Sequence, residues 1–293
     1  MAKYTGRIRL VILDIGGTVC DGPQDLKNLY PNDDGLAVKG PVVVMDDIFK
    51  GYKMDVDWKT IRKPMGLFKK DHLRVILQYE DVSEQFRKKQ GHDWTEGDLE
   101  EMFTQFRQKI PAVVVTEDLI RPIDGVKECM DELRAAGILI ACDTGYPKEA
   151  CDVIYATLAD KFGIRFDVVA DSEVVAGRPS PFLVYDCMSQ TNVYPVEAVV
   201  KADDIELGLH EGRNSGAWTV GVYASGVHGY ERLQKADPDY LIPSIKYLPE
   251  LIFNQIQSRL MRGDQPGQGL AYDPTDADIR LGRRMRTEAI TQN

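Results

Sequence analysis

The sequence is short of the features that announce several kinds of protein. Its five cysteines, Cys20, Cys129, Cys142, Cys151 and Cys187, are odd in number, scattered, and never at metal-ligand spacing. They are expected to be free buried thiols of a reducing compartment. A surplus of positive charge is absent too. The net charge of −10 at pH 7 argues against nucleic acid or an anionic membrane as the main partner. No apolar run is long enough to span a bilayer. The first such run is too short for a signal peptide and ends in Asp14, so a soluble cytoplasmic protein is expected. No internal repeat or low-complexity tract is found. The rest of the composition, 43% apolar and 28% charged over 293 residues, leaves room for one large domain or for a core with a smaller one.

The chain is organised around residues 7–21. The apolar, β-branched run Leu10 to Leu13 predicts a buried strand with Asp14 at its carboxyl end. Gly16 and Gly17 follow and predict a sharp turn, since glycine reaches positive φ without strain. A carboxylate at such a strand end lies where open α/β sheets bind ligands. Alone, the stretch is equally compatible with a solvated Asp before an ordinary turn.

Residues 22–40 carry many breakers and predict irregular structure. Helices are then expected from near Pro41 to Tyr52, from an Asp57 cap to Ile61, along the Leu73–Ile76–Leu77 stripe, over 82–90 and over 95–109. The last is capped by Thr95 or Asp93 and buries Leu99, Met102, Phe103 and Phe106. From Pro122 the pattern alternates. Strands are expected at Ile138–Cys142, Phe166–Ala170, Ala198–Lys201, Trp218–Tyr223 and Tyr240–Ile242, with helices up to Ala136, over 148–161 and 181–190, and through Leu209 and Glu211. Such alternation predicts an α/β fold, a Rossmann-like parallel sheet core. The all-helical block after the first strand is too large for a loop and predicts an inserted cap. The expected organisation is core 1–22 and 116–262, cap 23–115, and a C-terminal extension 263–293. Residues 245–262 predict a closing helix, and Ala277–Thr287 a short one in the extension.

Parallel strands bring their carboxyl ends to one edge. Asp14, Thr144, Arg178 and the pair Asp203-Asp204 are expected to converge there. A carboxylate can attack phosphorus and divide one hard step into two. Mg²⁺ on one or two carboxylates, with Arg178, would neutralise the anionic repulsion. Thr144 and turn amides can donate to phosphoryl oxygens.

This order of motifs resembles the haloacid dehalogenase superfamily of aspartate-nucleophile phosphotransferases. Pro64-Met65-Gly66-Leu67-Phe68-Lys69-Lys70-Asp71-His72, Thr144-Gly145-Tyr146, Ala176-Gly177-Arg178-Pro179, Glu211-Gly212-Arg213-Asn214 and Trp218-Thr219-Val220-Gly221-Val222 are similar to its phosphonatase branch, over roughly residues 7–225. The resemblance implies Asp14 as nucleophile and Lys69 as the lysine that forms an imine with an aldehyde. It also implies catalytic roles for Arg178 and Thr144. His72, one helical turn from Lys69, is expected to tune the lysine or shuttle protons. Substrate contacts are expected from Thr18, Met65, Gly66, Gly145 and Tyr146. Mg²⁺ is expected on Asp14, the Gly16 carbonyl and Asp204, with Asp203 as the alternative. The substrate implied is a small phosphonate, 2-phosphonoacetaldehyde, and the assembly implied is a homodimer through the cap.

One physical argument agrees without the resemblance. Most phosphatases of the superfamily place a second Asp two residues after the nucleophile, to protonate a leaving alcohol. Here that position is Gly16. A C–P bond has no leaving oxygen; it needs an electron sink on carbon, which a lysine imine provides. The sequence departs from the family in one place. The family often shows Gly-Asp and a further Asp four residues later, whereas this chain has Asp203-Asp204 and then Gly208. The alternatives are a phosphatase or a hydrolase of another phosphonate, with Lys69 as a plain cation, and a non-catalytic partner-binding relative.

Overall fold

The first strand, β1 (Leu10–Asp14), is buried at every position and lies inside a six-stranded, wholly parallel sheet. The others are β2 (Leu139–Asp143), β3 (Val168–Ala170), β4 (Val199–Asp203), β5 (Trp218–Val222) and β6 (Tyr240–Ile242), in the order β3-β2-β1-β4-β5-β6. The computed structural model describes residues 3–22 and 37–267. The chain leaves β1 toward β2 on one side and returns to β4 on the other, so the strand order reverses beside Asp14, where such sheets form a crevice. Register pairs Asp14 with Asp143 and Leu13 with Ala202, which brings Asp14, Asp143 and Asp203 to one sheet edge.

Between β1 and β2 the chain builds α1 (Lys39–Gly51), α2 (Trp58–Arg62), α3 (Lys69–Leu77), α4 (Glu80–Gln90) and α5 (Glu96–Val114), then α6 (Glu117–Ile120) and α7 (Val126–Ala135). The α1 helix opens at Lys39, two residues before Pro41. The Asp21 carboxylate accepts from the Lys39 and Gly40 N–H groups, both at 3.1 Å, and so caps the helix from outside it. Thr95 and Asp98 form the capping box of α5, and Asp93 accepts from Arg87 instead. That helix passes the expected end at 109 and runs through Pro111. The stripe Met102, Phe106, Ile110, Val114 stays buried, which offsets the backbone hydrogen bond lost at the proline. Phe103, expected in the core, is only half-buried.

The remaining helices are α8 (Lys148–Phe162), α9 (Phe182–Thr191), α10 (Glu206–Ser215), α11 (Tyr230–Lys235), α12 (Leu248–Leu251) and α13 (Gln257–Met261). A 3₁₀ turn, Ile245–Tyr247, precedes α12, and a π-helical turn, Ile252–Ile256, joins α12 to α13. The closing segment is therefore not one regular helix. The short helices α6 and α11 have no counterpart in the sequence pattern. The third strand is shorter than expected, because Asp167 turns its carboxylate back to accept from the Ile140 N–H at 2.7 Å. Most of the 22–40 stretch and the expected helix Ala277–Thr287 lie outside the described residues.

One apolar cluster runs from the helices into the sheet, joining Phe49, Phe86 and Phe106 to Leu13, Val200 and Trp218. All five cysteines are free and buried. Among the described residues no helix is long and apolar enough to cross a membrane.

Candidate active site

The strand ends meet in a buried ionic network. The Arg178 guanidinium reaches Asp14 Oδ1 at 2.7 Å, Asp143 Oδ1 at 2.5 Å, Asp203 Oδ2 at 3.5 Å and Glu211 Oε2 at 3.0 Å. Lys201, wholly buried in the middle of β4, pairs with Asp143 and, at 2.9 Å, with Asp203. Arg178 does not follow a strand directly; the loop after β3 carries it over the sheet edge. Burial pushes the Asp14 carboxyl up to about 6, against the pull of the Arg178 charge.

A cavity opens above Asp14. The core contributes Gly16, Thr144, Gly145, Tyr146 and Arg178 to its wall, and the helical block contributes Met65, Gly66 and Lys69. The block enters through the loop Gly66–Phe68. Gly66 has φ +102°, and a side chain there would meet Ile205 at 2.5 Å. A Cβ on Gly145 would lie 3.0 Å from the Leu67 carbonyl, and one on Gly177 would lie 2.7–2.9 Å from the Phe68 ring. Three glycines thus let the two parts of the chain approach closely, backbone to backbone at Gly145 and backbone to side chain at Gly66 and Gly177.

Lys69 opens α3 and is 5% exposed, with its Nζ 5.2 Å from the centre of the Tyr146 ring and 3.5 Å from the Leu67 carbonyl. Burial lowers its pKa to about 8; the Asp14 charge opposes this and the Arg178 charge adds to it. The neighbouring lysines are not the cause. Lys63 lies over the Tyr79 ring and Lys70 pairs with Glu100. His72 does not line the cavity. It is fully buried, and its Nε2 lies 2.6 Å from the Ile61 carbonyl. A carbonyl only accepts, so Nε2 carries the proton and Nδ1 is the basic nitrogen, which has no hydrogen-bond partner among the described residues. Burial and the Lys69 charge hold the imidazole down at about 3, so it stays neutral at physiological pH.

Thr18 and Asp204 lie behind the cavity wall. The Thr18 hydroxyl donates to Asp204 Oδ1 at 3.3 Å, and the Val227 N–H donates to Oδ2 at 2.7 Å. Side chains on Gly17 or Gly226 would collide with this carboxylate. Among the described residues Asp204 has no ion-pair partner, and burial with the charges of Asp14 and Asp203 pushes its carboxyl up. Five buried carboxyl groups (Asp14, Asp143, Asp203, Asp204, Glu211) stand against three basic groups (Arg178, Lys201, Lys69), an excess of two acids that burial pushes toward protonation at Asp204 and Glu211. That surplus of hard oxygen donors fits a divalent cation such as Mg²⁺. One carboxylate oxygen from each of Asp14, Asp143 and Asp203 also falls within 4.8 Å of the others. Asp143 and Asp203 are already engaged by Arg178 and Lys201, whereas Asp204 is unpaired.

The sequence reading missed Asp143, Lys201 and Glu211. The signal for Lys201 was present: a lysine within the apolar run Val199–Ala202 must find carboxylates once buried.

A buried strand-end Asp under an arginine, in a crevice of a Rossmann-like sheet closed by inserted helices, defines a hydrolase of the haloacid dehalogenase type. The model of the haloacid dehalogenase-like hydrolase family matches residues 8–216, and the chain belongs to that family. Its relatives within the family are more specific. It is 32% identical over 284 residues to a Vibrio parahaemolyticus protein named phosphonoacetaldehyde hydrolase, covering 88% of this chain and 98% of that one. It is 34% identical over 217 residues to a Bacillus cereus protein of the same name, covering 74% and 76%. A solved structure of a phosphonoacetaldehyde hydrolase-like protein from Oleispira antarctica superposes with a TM-score of 0.80 at 26% identity, covering 91% of this chain and 98% of that one. A β-phosphoglucomutase from Clostridium difficile shares the fold, with a TM-score of 0.63 at 17% identity.

Proposed function

We propose that this hydrolase cleaves the C–P bond of 2-phosphonoacetaldehyde to acetaldehyde and phosphate, through an imine on Lys69 and a phosphoryl group on Asp14. The observation that carries the reading is a lysine from the helical block and an aspartate from the sheet lining one cavity, with Gly16 where an acid for a leaving alcohol would stand. Lys69 Nζ, neutral in part near pH 8, adds to the aldehyde carbon, and loss of water leaves the imine. An Asp14 oxygen attacks phosphorus in line. The C–P electron pair moves into the imine, protonated at Nζ, giving a neutral enamine and an aspartyl-phosphate. Proton addition at carbon and hydrolysis return Lys69 and acetaldehyde. Water then attacks the acyl phosphate, freeing phosphate and the Asp14 carboxylate.

Arg178 and Thr144 line the cavity with Asp14, and the guanidinium and the hydroxyl would donate to the phosphoryl oxygens. Tyr146, Met65, Gly66 and Gly145 would shape the pocket around the two-carbon unit. His72, buried one helical turn from Lys69 and held neutral, would position the lysine rather than take up a proton, and Thr18 would act through Asp204. Asp14, Asp204 and the Gly16 carbonyl would hold Mg²⁺, which when bound neutralises charge building on the phosphoryl oxygens. On this reading 1–22 and 116–262 form the core, 23–115 a cap whose closure excludes water, and 263–293 an extension. A homodimer through the cap belongs to the same proposal; sedimentation equilibrium tests it.

The test is incubation with phosphonoacetaldehyde and Mg²⁺, measuring phosphate and acetaldehyde together. Equal yields are expected. Release of phosphate from a simple phosphate ester but not from the phosphonate would replace this reading with a phosphatase.

A further inference from the structure

Asp143 ends β2 in register with Asp14, one residue before Thr144, and is wholly buried. All of its bonding falls on one oxygen. Oδ1 takes the Arg178 guanidinium at 2.5 Å and the Lys201 ammonium, while Oδ2 has no partner among the described residues. On the other side of the contact, the Arg178 Nη2 donates to Asp143 Oδ1 and, at 3.2 Å, to the Asp143 main-chain carbonyl. Its Nε donates to Glu211 at 3.0 Å. Asp14 Oδ1 lies 2.7 Å from the same Nη2, yet the hydrogen bonds of that nitrogen run to Asp143 rather than to Asp14. With Nε and Nη2 engaged, Nη1 is the corner of the guanidinium left for a ligand in the cavity that Arg178 lines.

We propose that Asp143 is a positioning residue for the phosphoryl transfer: it draws the Nη2 hydrogens away from Asp14, so that the nucleophile keeps its lone pairs for phosphorus and Nη1 stays available to the phosphonate. Without it, Arg178 and Asp14 would close into an exclusive two-point pair, the arrangement that a guanidinium and a carboxylate favour. The arginine would then mask the nucleophile and let go of the phosphonate. Lys201 supports the arrangement by holding the same Asp143 oxygen from within β4. Asp143 itself does not line the cavity and works through Arg178. The role rests on the reading of Asp14 as nucleophile and of the cavity as the phosphonate site.

Binding of inorganic phosphate, measured by calorimetry with Mg²⁺ present, reads the arginine without turnover. Asp143→Asn keeps the shape of the side chain, and its amide nitrogen can sit where Oδ2 has no partner. Two effects of this variant on phosphate have opposite signs. Losing a negative charge near an anion site tightens phosphate by Coulomb's law alone. Losing the charged acceptor, for which a neutral amide oxygen is a weaker substitute, frees Nη2 to turn to Asp14 and loosens phosphate. The second effect is expected to win: the Kd for phosphate should rise by about tenfold, and kcat for phosphonoacetaldehyde should fall by about 100-fold, the scale of losing one well-placed donor. In an Arg178→Lys background, which has no fork to aim, adding Asp143→Asn should change the Kd by less than about twofold. Asp143→Ser supplies the same comparisons should the amide variant fail to melt cooperatively. Phosphate bound as tightly as by the wild type, or more tightly, would overturn the positioning role. So would an equal loss in both backgrounds, since Asp143 would then act other than through Arg178. If the wild type binds phosphate but leaves phosphonoacetaldehyde untouched, the reading of function fails, and the phosphate series still decides the role of Asp143.

Discussion

Lys69 must be buried enough to lose its proton yet close enough to Asp14 for one substrate to span both. Its surroundings fix a sign for the pH dependence. Only the neutral amine adds to a carbonyl, and its fraction falls about tenfold per unit below the pKa. With that pKa at about 8, borohydride trapping of the imine on Lys69 should quicken up to about pH 8 and then level. His72, held at about 3, contributes no limb to this profile near neutrality. A trapping rate still climbing at pH 10, where a free lysine titrates, would show that the amine is not perturbed. Lys69→Arg keeps the charge and forms no imine, so it should lose C–P cleavage; near-native turnover of that variant, or a reduced adduct on Lys63 or Lys70, would remove Lys69 from the mechanism. Asp14→Asn keeps the volume of a 5% exposed side chain and loses the nucleophile. Phosphate release should stop in a protein whose melting curve still shows a cooperative fold.

At the scale of elements, the seam between helical block and sheet depends on missing side chains. Phe68 lies on Gly177, and the Gly66–Leu67 carbonyls lie on Gly145. Gly177→Ala would put a methyl 2.7–2.9 Å from the Phe68 ring. An overpacked contact of this kind costs about 1–3 kcal/mol. The expected result is a KM for phosphonoacetaldehyde raised by about tenfold, with faster amide exchange in α3, and with both effects relieved in Gly177→Ala/Phe68→Ala. Unchanged KM and exchange would mean that the seam does not hold the helical block down. Much of this architecture was legible in the chain. Apolar runs ending in Asp or Thr mark strands whose ends converge, and the stripe Leu99, Met102, Phe106 marks α5. What was illegible depends on partners far away in sequence. The start of α1 is set by Asp21 and the shortening of β3 by Asp167. The lysine in β4 reads as an anomaly until Asp143 and Glu211, 58 residues before and ten after it, are seen beside it.

For the whole molecule the decisive quantity is charge. Its acidic balance is not spread evenly over the surface: an excess of two buried carboxylates over basic groups sits under the cavity, and one of those carboxylates is the nucleophile Asp14, which must be ionised to act. Burying an unpaired carboxylate costs several kcal/mol, so Asp204 either takes up a proton or gains a cation. A cation bound only by the folded chain also stabilises the fold, by about 2.7 kcal/mol at a hundredfold excess over its Kd. Mg²⁺ should therefore raise the melting temperature with no substrate present, and EDTA should return it to its starting value. The two adjacent acids should then separate by their effects. Asp204→Ala removes the carboxylate without an ion-pair partner, so it should abolish the Mg²⁺-dependent shift. Asp203→Ala breaks the ion pairs to Lys201 and Arg178, so it should lower the melting temperature while leaving most of the Mg²⁺ shift in place. The reverse ranking, with the shift lost in Asp203→Ala and kept in Asp204→Ala, would move the metal to Asp203 and the Asp14–Asp143–Asp203 cluster.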